Sequence, residues 1–332
     1  MVCDKNGVFV ISLDFELFWG VRDVYQIKDY EENIKGVHRA IPALLTLFDE
    51  YKIHATWATV GFIFFENERQ LKLHLPTDLP NYLKKVYCPY EYLKKSPDSI
   101  NSEYHFAPQL IRQIQNSLGQ EIGTHTFSHY YCLEESQTRV EFEADIKAAV
   151  TIAHKFDISL KSIIFPRNQC NEEYFTTLTK YNITSYRGTE SCWLYRPIQN
   201  NKNFGWLKRA LRLLDAYINL TGHHCVPING LKSSPLINLP SSRFLRPFQP
   251  ALKAFEFLRL RRIKKSMHYA AKNGMLFHLW WHPHNFGRHL DENIAFLRKI
   301  LLYFNTLKSQ YGMSTMSMSE AAVHAMTDTN KK

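Results

Sequence analysis

Apolar residues follow two different periods along the first sixty positions. A continuous apolar run at residues 8–13, rich in branched and aromatic side chains, predicts a strand buried on both faces. At residues 33–51 apolar positions recur at helical spacing, and residues 54–60 predict a second strand. The predicted helix has an inner face formed by Val37, Ile41, Leu44, Leu45 and Phe48. This order of elements predicts a βαβ unit with two parallel strands.

The alternation of strands and helices continues after residue 105. Helical periodicity predicts helices at about 108–118, 136–156, 172–181 and 292–311. Short apolar runs predict strands that lead to residue 125 and that lie at 162–166, 183–186 and 275–281. This pattern, with polar candidate residues at the strand ends, is typical of a (β/α) barrel or a doubly wound sheet.

Two ranges interrupt this rhythm. Residues 66–105 are polar and proline-containing, which predicts loops and short helices, and residues 195–272 hold six prolines and two basic amphipathic stretches. Neither range has the composition of a linker between domains. We therefore expect residues 1–332 to form a single domain with insertions at about 66–105 and 195–272.

The composition limits the class of protein. The chain has 332 residues, 45% of them apolar, and can bury a large core. It has no apolar run of about 18 residues, so we expect no transmembrane helix. The N-terminus lacks the layout of a secretory signal, because Asp14 and Glu16 end the first apolar run too early. We expect a cytoplasmic protein, with association at a membrane surface left open.

The charge is strongly positive and uneven. The net charge is +10 and the pI is about 9.2, and residues 243–265 contain Glu256 as their only acid. The cations of this range are Arg243, Arg246, Lys253, Arg259, Arg261, Arg262, Lys264 and Lys265. Such a surface suits nucleic acid, anionic lipid or a phosphorylated sugar donor. A solvated basic face over an apolar core is an equally good interpretation.

The six cysteines are scattered, and none forms a C-x-x-C pair. This spacing argues against a disulfide framework and against a cysteine zinc site. We expect reduced thiols, most of them buried.

Two short stretches, more than a hundred residues apart, together predict a metal site. Asp14 and Glu16 follow the first apolar run two residues apart, so strand alternation directs both carboxylates to one side. His125 and His129 are four residues apart, and a helical turn at Thr126 would place both rings on one face. Two imidazoles and one carboxylate form a typical divalent-metal site, and the remaining carboxylate has the properties of a general base.

Two further strand ends carry candidate residues. The late strand ends in His278, His282 and His284 beside two tryptophans, and one of these histidines could protonate a leaving amine. Arg167 follows Pro166 at another strand end and could hold a carboxylate ionised and oriented.

In order and spacing these stretches resemble the motifs of the NodB-homology polysaccharide deacetylases, carbohydrate esterase family 4. The matching stretches are residues 12–16, 125–129, 165–169 and 279–282. The resemblance spans about residues 8–290, without clear counterparts for 66–105 and 195–272. It implies a distorted (β/α) barrel of about seven parallel strands, the NodB-like fold.

The resemblance also implies roles for individual residues. Asp14 would be the general base, and Arg167 would orient it. The metal ligands would be Glu16, His125 and His129. The general acid would be His282, with His284 as the competing candidate.

The chain departs from the family pattern at two motifs. The family has adjacent aspartates in the first motif, whereas here Phe15 separates the two acids and the second is Glu16. The usual Arg-x-x-Pro order is reversed at Pro166 and Arg167. Zinc fits the donor set best, with cobalt, nickel and manganese as alternatives. Some family members need no metal, so the cofactor is an expectation.

The predicted function is a metal-dependent hydrolase that removes an N-acetyl or N-formyl group from an amino sugar during surface-glycan (O-antigen, lipopolysaccharide or capsule) biosynthesis. The expected partner is an acylated amino sugar linked to a nucleotide or a lipid, with peripheral contact to an anionic membrane as a further expectation. One alternative is a metal-independent hydrolase of a cyclic amide or imide on the same scaffold. Another is a nucleic-acid-binding protein using residues 243–265, but no nucleic-acid-binding motif is recognisable, so we expect no nucleic-acid partner.

Overall fold

The computed structural model describes residues 6–95, 100–190, 192–195, 205–228, 231 and 235–329. The helices are α1 Ile27–Tyr51, α2 Glu68–Lys72, α3 Pro89–Lys95, α4 Ser102–His105, α5 Pro108–Gln115, α6 Arg139–His154, α7 Phe175–Lys180, α8 Gly205–Asp215, α9 Glu256–Asn273, α10 His284–Gly287, α11 Leu290–Tyr311 and α12 Met318–Thr329. The strands are β1 Val8–Phe15, β2 Ala55–Thr59, β3 Gln120–Thr124, β4 Ser162–Ile163, β5 Ser185–Tyr186, β6 Val226–Pro227, β7 Ile237–Asn238, β8 Arg243–Phe244, β9 Met275–Trp281 and β10 Ser314–Met316.

The strands form one sheet around a central pair. Its main path runs β6–β9–β1–β2–β3–β4–β5–β7, and seven consecutive strands of this path, β9 to β7, are parallel neighbours within the described chain. β6 joins β9 in the antiparallel sense, while β8 and β10 are parallel to β9 and β1. A mostly parallel sheet covered by helices is the architecture that the alternating pattern predicted.

The segment that connects β7 to β8 closes the curl of the sheet. Leu239 donates its backbone N–H to the carbonyl of Tyr186 on the β5 side, at 2.9 Å. Three residues later, Ser242 donates to the carbonyl of His278 in β9, at 2.8 Å. This short segment therefore bonds both to the β5 side and to β9, which lie near opposite ends of the strand order. The predicted distorted (β/α) barrel is confirmed.

The central strands are buried along their full length. Every residue of β1 is buried, and its register against β2 aligns Asp14 with Ala58, while β9 flanks its other edge. Because β1, β2, β3 and β9 are parallel, their carboxyl ends open at the same edge of the sheet. That edge receives the residues that follow each strand.

Helices cover the sheet and end at recognisable signals. α1 buries Val37, Ile41, Leu44 and Phe48, four of the five residues predicted for its inner face. The capping box of α6 pairs Thr138 with Glu141. α9 is capped by Gly274, whose φ of 62° lies in the left-handed region and lets the chain turn directly into β9.

The two interrupted ranges differ from each other. Residues 66–105, described apart from 96–99, form short helices and loops, as predicted. The range 195–272 supplies β6, β7 and β8 to the main sheet, so part of it lies within the barrel. The division into one domain with two insertions stays a prediction. Within the described residues, no helix is both long enough and apolar enough to cross a bilayer.

Candidate metal centre and active site

Two acidic side chains lie where β1 ends. Asp14 and Glu16 are 3% and 4% exposed, so both carboxylates are inside the protein. The Nε2 atom of His282 lies 3.7 Å from Asp14 Oδ2 and 3.6 Å from Glu16 Oε1. Both acids therefore face one ring from the same side of the chain, as strand alternation predicted.

The two histidines of the second motif lie on a tight turn after β3 rather than on a helix. Thr126 and His129 have φ values of 64° and 61°, which a helical turn would not allow. The carboxylate of Asp145 fixes the turn, because it accepts the backbone N–H groups of Phe127 at 2.6 Å and Ser128 at 3.1 Å, and also the Ser128 hydroxyl. The turn brings both rings to one point.

Glu16 is the point on which the two rings converge. Its Oε2 atom lies 3.1 Å from His129 Nε2 and 3.3 Å from His125 Nε2. One donor atom from each residue of this triad lies within 4.8 Å of the other two. Burial alone would raise the pKa of Glu16, but the imidazoles of His282, His125 and His129 hold it well below its usual value.

The protonation pattern of the triad fits a divalent cation. His125 Nδ1 lies 2.8 Å from the carbonyl oxygen of Ile164, which can only accept, so Nδ1 carries the proton in the neutral ring. Its Nε2 lone pair then faces the Glu16 carboxylate. Burial lowers the pKa of His129 to about 4, so the His129 ring is neutral near pH 7. A divalent cation would satisfy the Glu16 carboxylate and the imidazole nitrogens that face it in this buried space, and zinc accepts this donor set.

Gly20 leaves the space that the Glu16 side chain occupies. A Cβ atom at Gly20 would lie 2.0 Å from the carboxyl carbon of Glu16. Gly20 ends the 3₁₀ turn Leu17–Gly20, which follows directly after Glu16 and folds back over it. The close approach explains why a residue without a side chain stands at this position.

Asp14 is bonded to a cation of the chain itself. Arg187 donates from both terminal nitrogens to the two carboxylate oxygens, at 2.7 and 2.8 Å, and is itself 1% exposed. Burial raises the pKa of Asp14, but Arg187, followed by His282 and His125, outweighs it and keeps the pKa below its usual value. The bidentate pair holds Asp14 ionised and fixes the orientation of its carboxylate.

A chain of hydrogen bonds fixes Arg187 in turn. Arg187 donates to Ser12 Oγ at 3.0 Å and to Asn168 Oδ1 at 3.2 Å. His278 donates from Nδ1 to the carbonyl of Leu239 at 3.0 Å, and its Nε2 atom lies 2.8 Å from Ser12 Oγ. Burial lowers the pKa of His278 to about 3, so this ring is neutral and accepts the Ser12 hydroxyl proton. His278 therefore helps to fix Asp14 indirectly, through Ser12 and Arg187.

Arg167 does not reach Asp14, which corrects the predicted pairing. Its guanidinium pairs with Asp23 and lies 4.4 Å from the ring centre of Tyr131. The backbone of Arg167 has a φ of 55°, in a 3₁₀ turn that directs the side chain toward the rim of the site. The neighbouring Asn168 is the residue of this loop that contributes to the Asp14 network, through Arg187.

The late histidines occupy different depths. The side chain of His282 is 23% exposed, and its Nδ1 lies 3.2 Å from Asn285 Oδ1, so its Nε2 faces the two acids. His284 is buried and stacks on His282, with ring centres 4.8 Å apart. Burial, with His282 beside it, lowers the pKa of His284 to about 3. The structure brings both rings to the pocket, with His282 at its mouth.

Three residues of the site were absent from the prediction: Arg187, Ser12 and Asp145. Arg187 directly follows β5 Ser185–Tyr186, so the rule that function lies at strand ends could have found it. Ser12 lies two residues before Asp14 on the same strand. Nothing in the sequence marks Asp145, because it lies within α6 and reaches the histidine turn only in the folded chain.

The comparisons with known proteins agree with this fold. Residues 32–186, somewhat under half of the chain, match the family model described as polysaccharide deacetylase, which confirms the resemblance predicted from the motifs. The match includes His125, His129 and Arg167 but neither the two acids of the first motif nor the late histidines. No curated protein matches the chain.

Solved structures of the same fold come from different enzymes. A protein from Mycobacterium smegmatis, described as a candidate polysaccharide deacetylase, has a TM-score of 0.61 at 12% identity and covers 98% of this chain and 93% of its own. The allantoinase PuuE has a TM-score of 0.53 at 11% identity, over 97% and 91% of the two chains. A 4-alpha-glucanotransferase from Thermococcus litoralis has a TM-score of 0.52 at 10% identity, over 96% and 40%. At these identities the likeness concerns the fold alone.

Proposed function

We propose that this chain, which carries the polysaccharide deacetylase sequence pattern over residues 32–186, is a metal-dependent hydrolase that removes an N-acetyl or N-formyl group from an amino sugar. The observation that supports the proposal most strongly is the convergence of Glu16, His125 and His129 beside a separate carboxylate, Asp14. The polysaccharide deacetylase scaffold provides a hydrolase framework, and this geometry supplies groups for amide cleavage.

Glu16, His125 and His129 would hold the cation. A divalent ion there would act as a Lewis acid, polarising the acyl carbonyl and lowering the pKa of water. The protein's part is to present two neutral rings and one carboxylate. The hydrogen bond from His125 to Ile164 orients the first ring, and the edge of Tyr131 packs against the second, with ring centres 5.2 Å apart.

Asp14 would accept the proton of the attacking water. A base must be ionised and aimed before the reaction begins, and the bidentate bond from Arg187 meets both requirements. Because Arg187 occupies the carboxylate from one side, the Asp14 oxygen nearest His282 is the one directed to the pocket. The water oxygen then forms a bond to the acyl carbon, and the C–N bond breaks in the second step.

His282 would donate the proton that the leaving nitrogen requires. Its partial exposure places Nε2 at the mouth of the pocket, where a substrate amide can reach it, and Asn285 fixes the ring. His284 is buried behind it, and its lowered pKa leaves it neutral near pH 7, which favours His282 as the acid. The products would be a carboxylic acid, acetic or formic, and a free amine on the sugar.

The substrate we propose is an amino sugar attached to a nucleotide or a lipid, at a step of surface-glycan assembly. The half-buried ring of Trp280 lies over Arg187, 4.1 Å from its guanidinium carbon, and 5.6 Å from the ring of His282. Trp280, which also packs against Phe244, would therefore border the space that the sugar ring occupies next to the acid.

The test is a release assay on N-acetyl and N-formyl amino sugars, each offered free, as a nucleoside diphosphate conjugate and as a lipid phosphate conjugate. We expect acetate or formate and a new primary amine, loss of both after chelation, and recovery when zinc or cobalt is returned. A protein that binds the metal yet releases no acid from any member of the panel would contradict the proposal.

Hydrolysis of a cyclic amide is a second candidate, because the allantoinase PuuE shares this fold over nearly the whole chain. The same assay separates the two functions when cyclic amides are included. Ring opening that persists in the presence of chelator would favour the second candidate, whereas the buried donor triad favours the first.

A further inference from the structure

The exposed apolar side chains of this protein are concentrated in one stretch of the chain. Among the described residues, nine of the twenty exposed large apolar side chains lie between residues 193 and 269. The two exposed tryptophans, Trp193 and Trp206, are both there, at 58% and 71% exposure. A folded protein rarely leaves tryptophan in water, and exposed tryptophan beside basic residues is typical of surfaces that enter a membrane interface.

The amphipathic helix α8 presents many of these side chains. Among the described residues of this helix only Asp215 is fully buried and Leu211 and Leu213 are half-buried, so much of its apolar face is left uncovered. Trp206, Leu207 and Leu214 are exposed, and Ile218 and Leu220 continue the apolar surface into the following loop. Cations lie on the same helix at positions 208, 209 and 212.

A basic cleft lies on the outward face of α9. Its volume is about 600 Å³, and its walls include four cations and the rings of Phe257 and Tyr303. The cations are Arg261, Lys264, Lys265 and Lys272. No Asp or Glu among the described residues lines this cleft.

The cations on the two faces of α9 differ in whether they have an acidic partner. On the inward face Arg259 pairs with Glu256, and Arg262 lies 3.6 Å from Asp215, so each buried guanidinium has an acidic partner. In the residues that the structure covers, no ion pair joins a carboxylate to a cation of the cleft. The outward charge is therefore available to an anion from outside the chain.

The end of α8 and the cleft are in direct contact. Arg262 of α9 donates hydrogen bonds to two backbone carbonyls, that of Asp215 at the end of α8 and that of Gly222 in the loop that follows α8. His223 of that loop lines the cleft and stacks on Tyr269, with ring centres 4.7 Å apart. The apolar side chains of the loop and the cations of α9 thus belong to adjoining parts of one surface.

We propose that α8, the loop at 216–224 and the outward face of α9 form a docking surface for an anionic phospholipid bilayer. The cations bind lipid phosphates, and the exposed tryptophan and aliphatic side chains enter the interface. None of these residues lies in the candidate active site, so the inference does not depend on the proposed hydrolase activity. A protein held in this way would meet lipid-linked molecules at the bilayer surface.

The test is sedimentation of the full chain with vesicles of phosphatidylcholine alone and of phosphatidylcholine mixed with phosphatidylglycerol in equal parts. We expect binding to the anionic vesicles, weakening with salt, and little binding to the neutral ones. The variant Arg261→Gln/Lys264→Gln/Lys265→Gln should lower the partition coefficient about a hundred-fold, since each cation near an anionic surface contributes roughly five-fold. Trp206→Ser should lower it roughly ten-fold.

A matched control removes the same charge elsewhere. Lys147→Gln/Lys155→Gln/Lys161→Gln changes three exposed lysines on α6 and the residues after it, and it should bind vesicles like the unchanged protein. Equal losses in the two triple variants would overturn the proposal, because net charge alone would then explain binding. Failure of the unchanged protein to bind anionic vesicles would also overturn it, as would salt-sensitive binding to duplex DNA or RNA without binding to vesicles.

Discussion

Two carboxylates stand two residues apart at the end of one strand, and the protein surrounds them with different groups. On the Asp14 side, the buried guanidinium of Arg187 neutralises the acid and is itself fixed by Ser12 and Asn168. On the Glu16 side, the neighbours are two imidazoles that are neutral when they act as ligands. One acid thus has a cation built into the chain, while the other lies among donors that could hold a cation from outside.

In the proposed hydrolase, this difference would separate two tasks, proton acceptance and metal binding, that one carboxylate could not perform well. A general base must have a lone pair that is not bound to the metal. The permanently charged guanidinium of Arg187 keeps Asp14 ionised through hydrogen bonds, so no metal ion is needed for this. A ligand needs a compact set of donors with no competing charge. Because strand alternation points both acids into one pocket, the separation depends on their neighbours rather than on their distance along the chain.

The largest expected effect comes from removing the free carboxylate. Asp14→Asn should lower the rate of acyl release by about 10²- to 10⁴-fold, the usual range for loss of a general base. Metal content should stay near that of the unchanged protein, since Asp14 is not one of the three converging donors. Release assays and metal analysis on the same sample check this. Unchanged activity would remove Asp14 from the role of base.

Removal of the internal cation should mainly affect folding. Arg187→Met would leave the Asp14 carboxylate buried beside an apolar side chain, and such uncompensated charges cost about 3–5 kcal/mol. Denaturant unfolding measures the loss, and Arg298→Met, which breaks the exposed pair with Glu50, is the control. The double variant Arg187→Met/Asp14→Asn should recover part of the stability. If Arg187→Met were as stable as Arg298→Met, the ion pair between Arg187 and Asp14 would not contribute to stability in the way that its burial implies.

A smaller effect is expected from filling the space beside Glu16, the proposed metal ligand. Gly20→Ala would displace the Glu16 carboxylate, so we expect metal affinity to fall about 10- to 100-fold, as for other changes that disturb ligand orientation. The free energy of unfolding should change little, because the displaced group is the end of a flexible side chain. Gly205→Ala is the control, since its nearest neighbour would be 3.9 Å away. Calorimetric zinc titration compares them, and equal affinities would contradict the argument.

The smallest effect distinguishes the two arginines. Arg167 is partly exposed, but the Asp23 side chain that it pairs with is buried, so Arg167→Gln should lower stability by about 1–3 kcal/mol, less than Arg187→Met. Its release activity should fall far less than that of Arg187→Lys, which loses the bidentate bond to Asp14. If Arg167→Gln were the more damaging of the two, Arg187 would not be the residue that orients the base.

Much of the architecture could be predicted because it follows from local periodicity. The runs at 8–13 and 275–281 are apolar except for Ser12 and His278, which is typical of strands buried on both faces, and they pair as β1 and β9. The short strands β7 and β8 were not predicted, because they lie in a proline-containing range without a regular apolar period. β7 pairs with β5 and β8 pairs with β9, so each depends on a neighbouring strand for its backbone hydrogen-bond partners.

The site was predictable where its residues share a strand or a turn. The convergence of Asp14, Glu16, His125 and His129 on one pocket followed from their positions at strand ends. The partner of Asp14 was assigned to Arg167 because both arginines follow strands and sequence does not reveal which side chain turns inward. The left-handed backbone at Arg167 sends that side chain to the rim, and Arg187 takes the inner position.

Metal stoichiometry in two single variants tests the central claim most directly. Glu16→Gln and Asp14→Asn each replace one carboxylate with an amide of similar size at neighbouring points of the same pocket. The account predicts about one tightly bound divalent ion per chain in the unchanged protein and in Asp14→Asn, and loss of that ion in Glu16→Gln. Retention of the ion in Glu16→Gln, or its equal loss from both variants, would contradict the division between the two acids.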